Sequence, residues 1–384
     1  MPWEETNRME QRIAFVVRAL EQRDNFSELC REFGISRPTG YRWVNRYREV
    51  GNFVELREKS RRPHHSPGRT APEIEEEVER FRKRYSWGAR KLRDRLWIEK
   101  GIDLPEITIH RILKRRGMIA PEESHPAATH RFERKAPNEL WQMDFKGEYP
   151  LLSGHCYPLS ILDDHSRFLV GLHGLPNQRG ESVYGCLIET FERYGVPESL
   201  LMDHGTPWWS SSNAQGLTWV SVRLIQQGIR ISLSGIKHPQ TQGKVERFHR
   251  TLKAAMKHRG LPETLLQWKV ALTEFRNEYN AIRPHEALDM SVPASRYQPS
   301  VRAYNPNPPE WEYPEGALVK PLNSQGCLDF NHHRYFVCEA LAGERVRIEQ
   351  ATPYLLVSYR HMYIRQIHRE SGRTEAFVTP RSSE

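Results

Sequence analysis

The chain has 384 residues, a length that favours roughly two to four domains over one. Its 57 lysines and arginines exceed its 48 aspartates and glutamates, which gives a formal net charge of +9. This excess favours a polyanionic partner such as DNA or RNA, although a basic protein that is merely soluble would show the same balance. No apolar run approaches the ~20 residues of a membrane span, and the N-terminus lacks the basic and apolar regions of a signal peptide. We therefore expect a cytoplasmic protein with no membrane partner.

The five cysteines are odd in number, widely scattered and never arranged as Cys-x-x-Cys. They indicate a reducing compartment and buried thiols, not a disulfide framework. His332 and His333 stand near Cys327 and Cys338, but adjacent histidines on a strand point to opposite faces and make a poor ligand pair. A structural zinc site is therefore not expected.

The first predicted domain, residues 1–56, is a helix-turn-helix DNA-binding domain. Its helical pattern breaks at Gly34, and Ser36 can cap a following helix that extends to Arg48. This is the predicted recognition helix, with candidate DNA contacts at Arg37, Arg42 and Arg46. Gly40 is unusual there, because glycine weakens a helix interior by ~1 kcal/mol. A plain helical hairpin with solvated arginines is the alternative.

A second helical DNA-binding domain is predicted at residues 73–120, between linkers at 57–72 and 121–137. The first linker is basic and has no apolar periodicity. The last helix of the second domain ends at Gly117 and carries three further candidate DNA contacts, Arg111, Lys114 and Arg115. Two DNA-binding domains joined by a linker would gain affinity through multivalency.

Strands and helices alternate between residues 138 and 300, which predicts a mixed α/β domain with helices covering the sheet. A linker rich in proline and asparagine follows at 301–315. Short alternating apolar runs at 316–370 predict a small β-barrel with a basic face. The tail at 371–384 is expected to be disordered.

Three acidic residues, Asp144, Asp203 and Glu246, stand in contexts suited to holding metal against a phosphate. Asp144 and Asp203 end short apolar runs, where a strand would finish, and Glu246 lies in a predicted helix. A phosphodiester repels nucleophiles, and two Mg²⁺ ions roughly 4 Å apart can stabilise both the attacking and the leaving oxygen. Mg²⁺ prefers oxygen ligands and often takes only one or two carboxylates. Without metal, three such carboxylates should be loosely placed or should raise at least one pKa.

The helix that carries Glu246 has a cationic face. Arg250, Lys253 and Lys257 follow Glu246 at intervals of four, three and four residues, while the apolar residues form a different stripe. The face therefore offers a metal ligand followed by three candidate DNA contacts. A solvated face with weak ion pairs is the alternative.

Other polar residues near these positions have simpler interpretations. Asp163 and Asp164 occupy a predicted hairpin turn, where aspartate is favoured for local hydrogen bonds, and we interpret them as structural. His204 and His238 could contact phosphate, but a histidine in a surface loop is the more ordinary interpretation.

With these motifs together, the chain resembles bacterial insertion-sequence transposases of the Asp-Asp-Glu superfamily, which have a retroviral-integrase-type catalytic core. The matching stretches are Trp-Gln-Met-Asp at 141–144, Asp-His-Gly-Thr-Pro at 203–207, His-Pro-Gln at 238–240, residues 243–253 around Glu246, Tyr-Asn at 279–280 and Arg-Pro-His-Glu-Ala-Leu at 283–288. They span roughly residues 138–296, and the flanking domains agree with the family's order.

The resemblance implies a ribonuclease H-like core at 138–300, with a five-stranded mixed sheet flanked by helices. It places Asp144 on the first strand, Asp203 just after the fourth, and Glu246 on a helix packed against the sheet, as catalytic residues and as ligands of two Mg²⁺ ions that Mn²⁺ could replace. It also implies a bacterial, nucleoid-associated protein that binds double-stranded DNA at element ends and target, acting as a homodimer or higher homo-oligomer in a synaptic complex.

Two departures from the family's pattern are visible. The interval between Asp203 and Glu246 holds 42 residues, which is longer than is most common. The zinc-binding N-terminal domain of retroviral integrases is replaced by helical DNA-binding domains. The leading hypothesis is a DNA transposase. The alternatives are a catalytically silent DNA-binding regulator derived from one, and a ribonuclease H-type nuclease without strand transfer.

Overall fold

The computed structural model describes residues 8–58, 70–119, 133–210, 216–233 and 243–381. The chain divides into two compact units, Met1–Thr70 and Ala71–Glu384. Within the described ranges no helix is both long and apolar enough to cross a lipid bilayer.

The first unit is a helix-turn-helix fold, as predicted. Its helices are α1 (Arg8–Glu21), α2 (Phe26–Glu32) and α3 (Arg37–Val50), followed by a 3₁₀ turn at Phe53–Leu56. The side chain of Ser36 caps α3 by accepting from the backbone N–H of Thr39. The core of the unit comprises Phe15, Val16, Leu29, Cys30, Trp43, Val44 and Leu56. Residues 59–69 of the predicted basic linker lie outside the described residues.

Close packing explains the glycine inside the recognition helix. A Cβ atom at Gly40 would stand 2.8 Å from both the Cys30 Sγ and the Phe15 Cζ atoms. Helix α3 therefore approaches α1 and α2 more closely at this position than any side chain allows, and this contact outweighs the low helix propensity of glycine.

The second unit begins with a three-helix bundle formed by α4 (Pro72–Tyr85), α5 (Ala89–Lys100) and α6 (Glu106–Arg115). The bundle encloses its own core, to which Val78, Phe81, Leu92, Leu96, Ile109, Ile112 and Leu113 belong. Residues 121–132 of the predicted linker that follows, and residue 120 before it, lie outside the described residues.

A mixed sheet forms the centre of the second unit. Its strands in the described residues are β1 (Trp141–Phe145), β2 (Tyr149–Pro150), β3 (His155–Asp163), β4 (Leu169–Leu175), β5 (Ser199–Met202) and β8 (Arg230–Leu233). β1 pairs antiparallel with β3 and parallel with β5, and β5 pairs parallel with β8. A two-stranded ribbon of β6 (Trp209–Ser210) and β7 (Gly216–Leu217) stands apart from this sheet.

Helices cover both faces of the sheet. Ile161 and Leu162 are consecutive on β3, so their side chains point to opposite faces. Ile161 shares a core cluster with α7 (Gly180–Tyr194) and α8 (Trp219–Gln226). Leu162 shares a separate cluster with α9 (Gly243–Arg259) and α10 (Leu265–Ala281). The prediction of a mixed α/β core with helices over the sheet is therefore confirmed.

The C-terminal region is an open sheet, and the predicted closed barrel is not confirmed. Its strands are β9 (Val319–Pro321), β10 (Cys327–Phe330), β11 (His333–Phe336), β12 (Arg345–Ala351), β13 (Tyr354–Tyr359), β14 (Met362–His368) and β15 (Thr374–Pro380). Five of these form an antiparallel sheet in the order β15-β14-β13-β12-β9, and β10 with β11 forms a hairpin. In the described chain β9 pairs with β12 and β15 with β14, so the two outer strands do not meet.

The physical reason for the open sheet is its packing on the central domain. Its apolar side chains belong to the same core cluster as α7, α8 and the central sheet. At this contact Gln226 donates to the Tyr359 hydroxyl at 3.0 Å, and Arg360 donates to the Gln226 carbonyl at 3.0 Å. A sheet that buries its apolar face on a neighbour does not need to close on itself.

Two expectations for the chain's irregular segments need revision. The predicted linker 301–315 has no helix or strand but is tied down, because Arg302 donates to the carbonyls of Pro197, Gln227 and Gly228. The predicted disordered tail instead forms β15 over Thr374–Pro380, paired with β14. Only residues 382–384 of it lie outside the described residues.

We predict that Gly40→Ala destabilises the first unit by about 1–3 kcal/mol, because the new methyl group would overpack the contact with Cys30 and Phe15. Hydrogen exchange of the amides in α1–α3 of the full chain measures this. Asn45→Ala, at an exposed position of the same helix, is the control and should leave exchange unchanged or slower. Equal protection in the two variants would contradict the packing explanation.

Candidate active site

The sheet brings two of the three predicted carboxylates to one edge. Asp144 is the fourth residue of β1, and Asp203 directly follows the last residue of β5. Because β1 and β5 are parallel neighbours, their carboxyl ends lie at the same edge of the sheet. Glu246 lies in the first turn of α9, and its side chain is exposed.

The electrostatics of Asp144 link it to the other two acids. Burial, the charge of Asp203 and, to a smaller extent, the charge of Glu246 raise the pKa of Asp144 to about 7. The backbone N–H of Phe145 and the charge of Lys146 act in the opposite direction. Asp144 thus lies close enough to Asp203 and Glu246 to be repelled by both, and the sequence predicted a raised pKa for at least one of the three acids.

The donor set fits a hard divalent cation. All three side chains offer carboxylate oxygens, the ligands that Mg²⁺ prefers, and a raised carboxyl pKa marks a place where added positive charge would be favourable. Among the described residues, however, no group of three His, Cys, Asp or Glu side chains is close enough to hold a metal ion. The catalytic and metal-binding roles of Asp144, Asp203 and Glu246 therefore stay predictions.

Trp208 holds Asp203 in place. Its indole Nε1–H lies 2.8 Å from the Asp203 Oδ1 atom and 3.1 Å from the Asp203 carbonyl oxygen. The backbone N–H of Gly205 donates to the same Oδ1 atom at 3.0 Å. The buried Trp208 ring stacks on Phe145 of β1, with ring centroids 5.6 Å apart. The long interval between Asp203 and Glu246 thus contains a residue that links both strand ends, which sequence reasoning missed.

Ser160 and His249 both contact Asp144. The Ser160 hydroxyl donates to the Asp144 carbonyl at 3.0 Å and lies 2.6 Å from His249 Nε2. The His249 Nδ1 atom stands 3.7 Å from Asp144 Oδ2. Burial, with a smaller contribution from Lys146, lowers the pKa of His249 to about 3, so the ring is neutral at pH 7. His249 stands only three residues after Glu246, but no sequence pattern predicted that it would contact Ser160 on β3.

The rival acids Asp163 and Asp164 are structural, in agreement with the sequence interpretation. Asp163 accepts from the backbone N–H groups of Asn138 and Ser166. Asp164 is fully buried and forms an ion pair with Lys244 at 2.6 Å. Lys244 stands in the first turn of α9, two residues before Glu246. This ion pair therefore anchors the start of the helix that presents Glu246.

The predicted DNA contacts fall in three places. Arg250, Lys253 and Lys257 are exposed along α9 beyond Glu246. On α3, Arg37 is exposed, while the guanidinium groups of Arg42 and Arg46 lie over the Trp43 ring at 5.3 and 5.0 Å. Their roles in DNA binding stay predictions.

On α6, the third place, two of the predicted DNA contacts are exposed and one is paired with a buried acid. Arg111 and Lys114 are exposed. Arg115 donates at 2.5 Å to Glu75, a carboxylate that is 1% exposed, so Arg115 balances a buried negative charge.

Asn280, in the Tyr-Asn stretch at 279–280, also has a structural role, because its side-chain amide forms two hydrogen bonds with the backbone of Leu169.

Models of known protein families match the central domain and the N-terminal helical part of the chain. Two models described as "Integrase core domain" match residues 134–239 and 227–293. A model described as "Helix-turn-helix domain" matches residues 11–64, and one described as "Homeodomain-like domain" matches residues 39–113.

Among similar proteins, the Gag-Pol polyprotein of baboon endogenous virus (strain M7) is 30% identical over 158 residues. That match covers 40% of this chain but 9% of the polyprotein, so the chain spans only a small part of that relative. An uncharacterized 31.7 kDa protein of the insertion element IS407 from Burkholderia multivorans is 24% identical over 205 residues, covering 52% of this chain and 66% of that protein.

Solved structures give a distant match. The catalytic core domain of HTLV-2 integrase in complex with magnesium, in its dimeric form, is 14% identical, with a TM-score of 0.33, and the match covers 42% of this chain and 97% of that one. A simian T-cell lymphotropic virus intasome in complex with the PP2A regulatory subunit B56 gamma is 14% identical, with a TM-score of 0.37, and covers 79% of this chain and 96% of that one.

We predict that Asp144→Asn stabilises the metal-free protein at neutral and higher pH. Since the folded-state pKa of Asp144 is raised from 3.8 to about 7, the folded state binds more protons than the unfolded state between these values, and wild-type stability falls as pH rises through that window. The variant lacks this penalty, so its advantage should grow from near zero at pH 4 to about 4 kcal/mol at pH 8.

Urea unfolding in the presence of a chelator, followed by tryptophan fluorescence, measures this difference. Asp103→Asn, at an exposed position, is the matched control and should show no such pH-dependent gain. A gain at Asp144 that is absent or does not vary with pH would refute the electrostatic description of the site.

Proposed function

We propose that this chain, a member of the Asp-Asp-Glu superfamily of transposases and integrases, is the DNA transposase of a bacterial insertion sequence. It binds the terminal inverted repeats of its element, hydrolyses a phosphodiester at each end to free a 3′-hydroxyl, and joins that hydroxyl to target DNA by transesterification. The observation that carries the proposal is the placement of Asp144 and Asp203 at one edge of the sheet, where burial and the charges of Asp203 and Glu246 raise the pKa of Asp144.

The side chains of the site have three proposed roles, which are metal binding, positioning and DNA binding. Asp144, Asp203 and Glu246 would hold two Mg²⁺ ions, replaceable by Mn²⁺, which supply charge stabilisation at the attacking and leaving oxygens. Trp208 donates to the Asp203 carboxylate, and Ser160 donates to the backbone carbonyl of Asp144, so both residues are held before any substrate arrives. The cations Arg250, Lys253 and Lys257 extend from the site along α9, where they would bind the DNA backbone beside the scissile phosphate.

The partners follow from the reaction. An element has two ends, and joining both to one target requires two active sites in a common complex, so we propose a homodimer or a higher homo-oligomer on double-stranded DNA. The helix-turn-helix unit and the α4–α6 bundle bind the ends, with Arg37, Arg42 and Arg46 on α3 and with Arg111 and Lys114 on α6. Arg115 would contribute less, because it is already paired with Glu75.

A catalytically silent regulator is the second candidate. It would need the DNA-binding helices but not the carboxylates, and the retention of all three acids with their supporting contacts from Trp208, Ser160 and His249 favours an active enzyme. A nuclease without strand transfer would use the same carboxylates but gives no role to two DNA-binding regions.

We expect Asp144→Asn, Asp203→Asn and Glu246→Gln each to abolish joining of end DNA to a target, because each removes a proposed metal ligand. Binding of end DNA should stay within about threefold of wild type, since the DNA-binding helices are untouched. Gel assays with Mg²⁺ and with DNA from the flanks of the gene measure both activities. Glu263→Gln, at an exposed position of the same domain, is the control and should join normally. Full activity in any of the three variants would exclude the assignment.

DNA recognition by α3 has a separate test. Arg37→Ala and Arg42→Ala should weaken binding of the terminal repeats, and each phosphate contact removed should reduce the slope of log affinity against log salt by about 1. Arg18→Ala, on α1 and paired with Asp24 and Glu32, is the control. Equal affinity of the wild-type chain for unrelated DNA at physiological salt would contradict specific reading of the ends.

A further inference from the structure

The α4–α6 bundle packs against the loop that follows α10. Lys91 of α5 forms an ion pair with Glu286, with the Nζ and Oε1 atoms 2.7 Å apart. The guanidinium of Arg283 lies over the ring of Trp87, 6.0 Å from its centroid, which is the outer range of a cation–π contact. Ile282 adds its side chain to the core of the bundle. One short segment, residues 282–286, therefore makes apolar, aromatic and ionic contacts with the bundle.

Neighbouring residues extend this contact. The Nε2 atom of His258, near the end of α9, lies 2.7 Å from the Lys83 carbonyl oxygen at the end of α4. Glu278 of α10 forms a 2.6 Å ion pair with Arg259 and also feels the charges of Arg283 and of Arg84 from the bundle. The contact thus joins α9 and α10 of the core domain to the bundle.

The ionic part of the contact is shielded from water on the lysine side, whereas the Glu286 side chain is 53% exposed. The Lys91 side chain is 18% exposed, and burial outweighs the attraction of Glu286, so the pKa of Lys91 is lowered. Lys91 in turn lowers the pKa of Glu286, which keeps that carboxylate charged. Arg90 and Arg283 also crowd Lys91. Glu286 therefore offsets several cations at once, and reversing its charge would leave them facing a like charge.

The length of the covalent connection permits many orientations of the bundle. Between Gly117 and Trp141 lie 23 residues, which would span roughly 75 Å if fully extended. The position of α6 relative to Asp144, Asp203 and Glu246 must therefore depend on non-covalent contacts.

We propose that residues 282–286 are a docking loop that sets the distance and orientation between the α4–α6 bundle and the carboxylate site. DNA held by α6 then presents a defined phosphate to the site. This inference rests on the proposed function for its consequence, but not for the contact itself. The residues of the loop are positioning residues, since they lie at the bundle and not at the reacting atoms.

The test is a charge-reversal cycle in the full chain. Glu286→Lys and Lys91→Glu should each undock the bundle, and the double variant should restore the pair with its charges exchanged. Two readouts are needed: the rate of hydroxyl-radical oxidation of Trp87, and the yield and position of joining. Glu263→Lys is the matched control, because it makes the same charge reversal at an exposed position of the core domain.

Each single variant should speed Trp87 oxidation and reduce joining at the correct position by about tenfold or more, since a displaced substrate loses alignment with the site. Recovery of both readouts in the double variant would support docking, because a general loss of folding would not be rescued by a second reversal. Wild-type oxidation and joining in the single variants would overturn the inference. If the wild-type chain joins no DNA, the proposed function fails, while Trp87 oxidation still decides whether the loop docks the bundle.

Discussion

Parallel pairing of β1 with β5 is the constraint on which the site depends. Trp141 stands opposite Leu200 and Gln142 opposite Leu201, and this register carries Asp144 and Asp203 to the same edge of the sheet. Two carboxylates in such a place repel each other, and burial of Asp144 strengthens the effect. The fold thus concentrates negative charge at the edge where the proposed function places a cation, and we expect this to reduce the stability of the metal-free protein.

The residues around the carboxylates limit how they can relieve this repulsion. Trp208 and Gly205 hold Asp203 through three hydrogen bonds, and the Phe145 ring stacks on Trp208, so the two strand ends move together. Lys244 fixes the first turn of α9 to the buried Asp164. These contacts hold Asp203 near Asp144 in the folded state, so the repulsion between the two carboxylates persists there.

Local patterns predicted the parts of this structure that local physics determines. The apolar runs that contain Asp144 or precede Asp203 form strands that finish at or near these acids, as expected, and Ser36 caps α3. Contacts between distant segments were not predictable in the same way. His249 reaches Ser160 across 89 positions of sequence, and no periodicity signals such a partner. The open C-terminal sheet has the same cause, because alternation predicts strands but not whether the outer two will meet.

The C-terminal sheet has a further consequence for what counts as a domain. Its apolar face is continuous with the core of the central sheet, and Arg302 and Arg360 tie the intervening segment to the ends of neighbouring elements. Composition divides the chain at residues 301–315, whereas the packing does not. We therefore expect the two sheets to unfold as one cooperative unit, and we expect an exchange of the C-terminal sheet between relatives to require matching changes on α8.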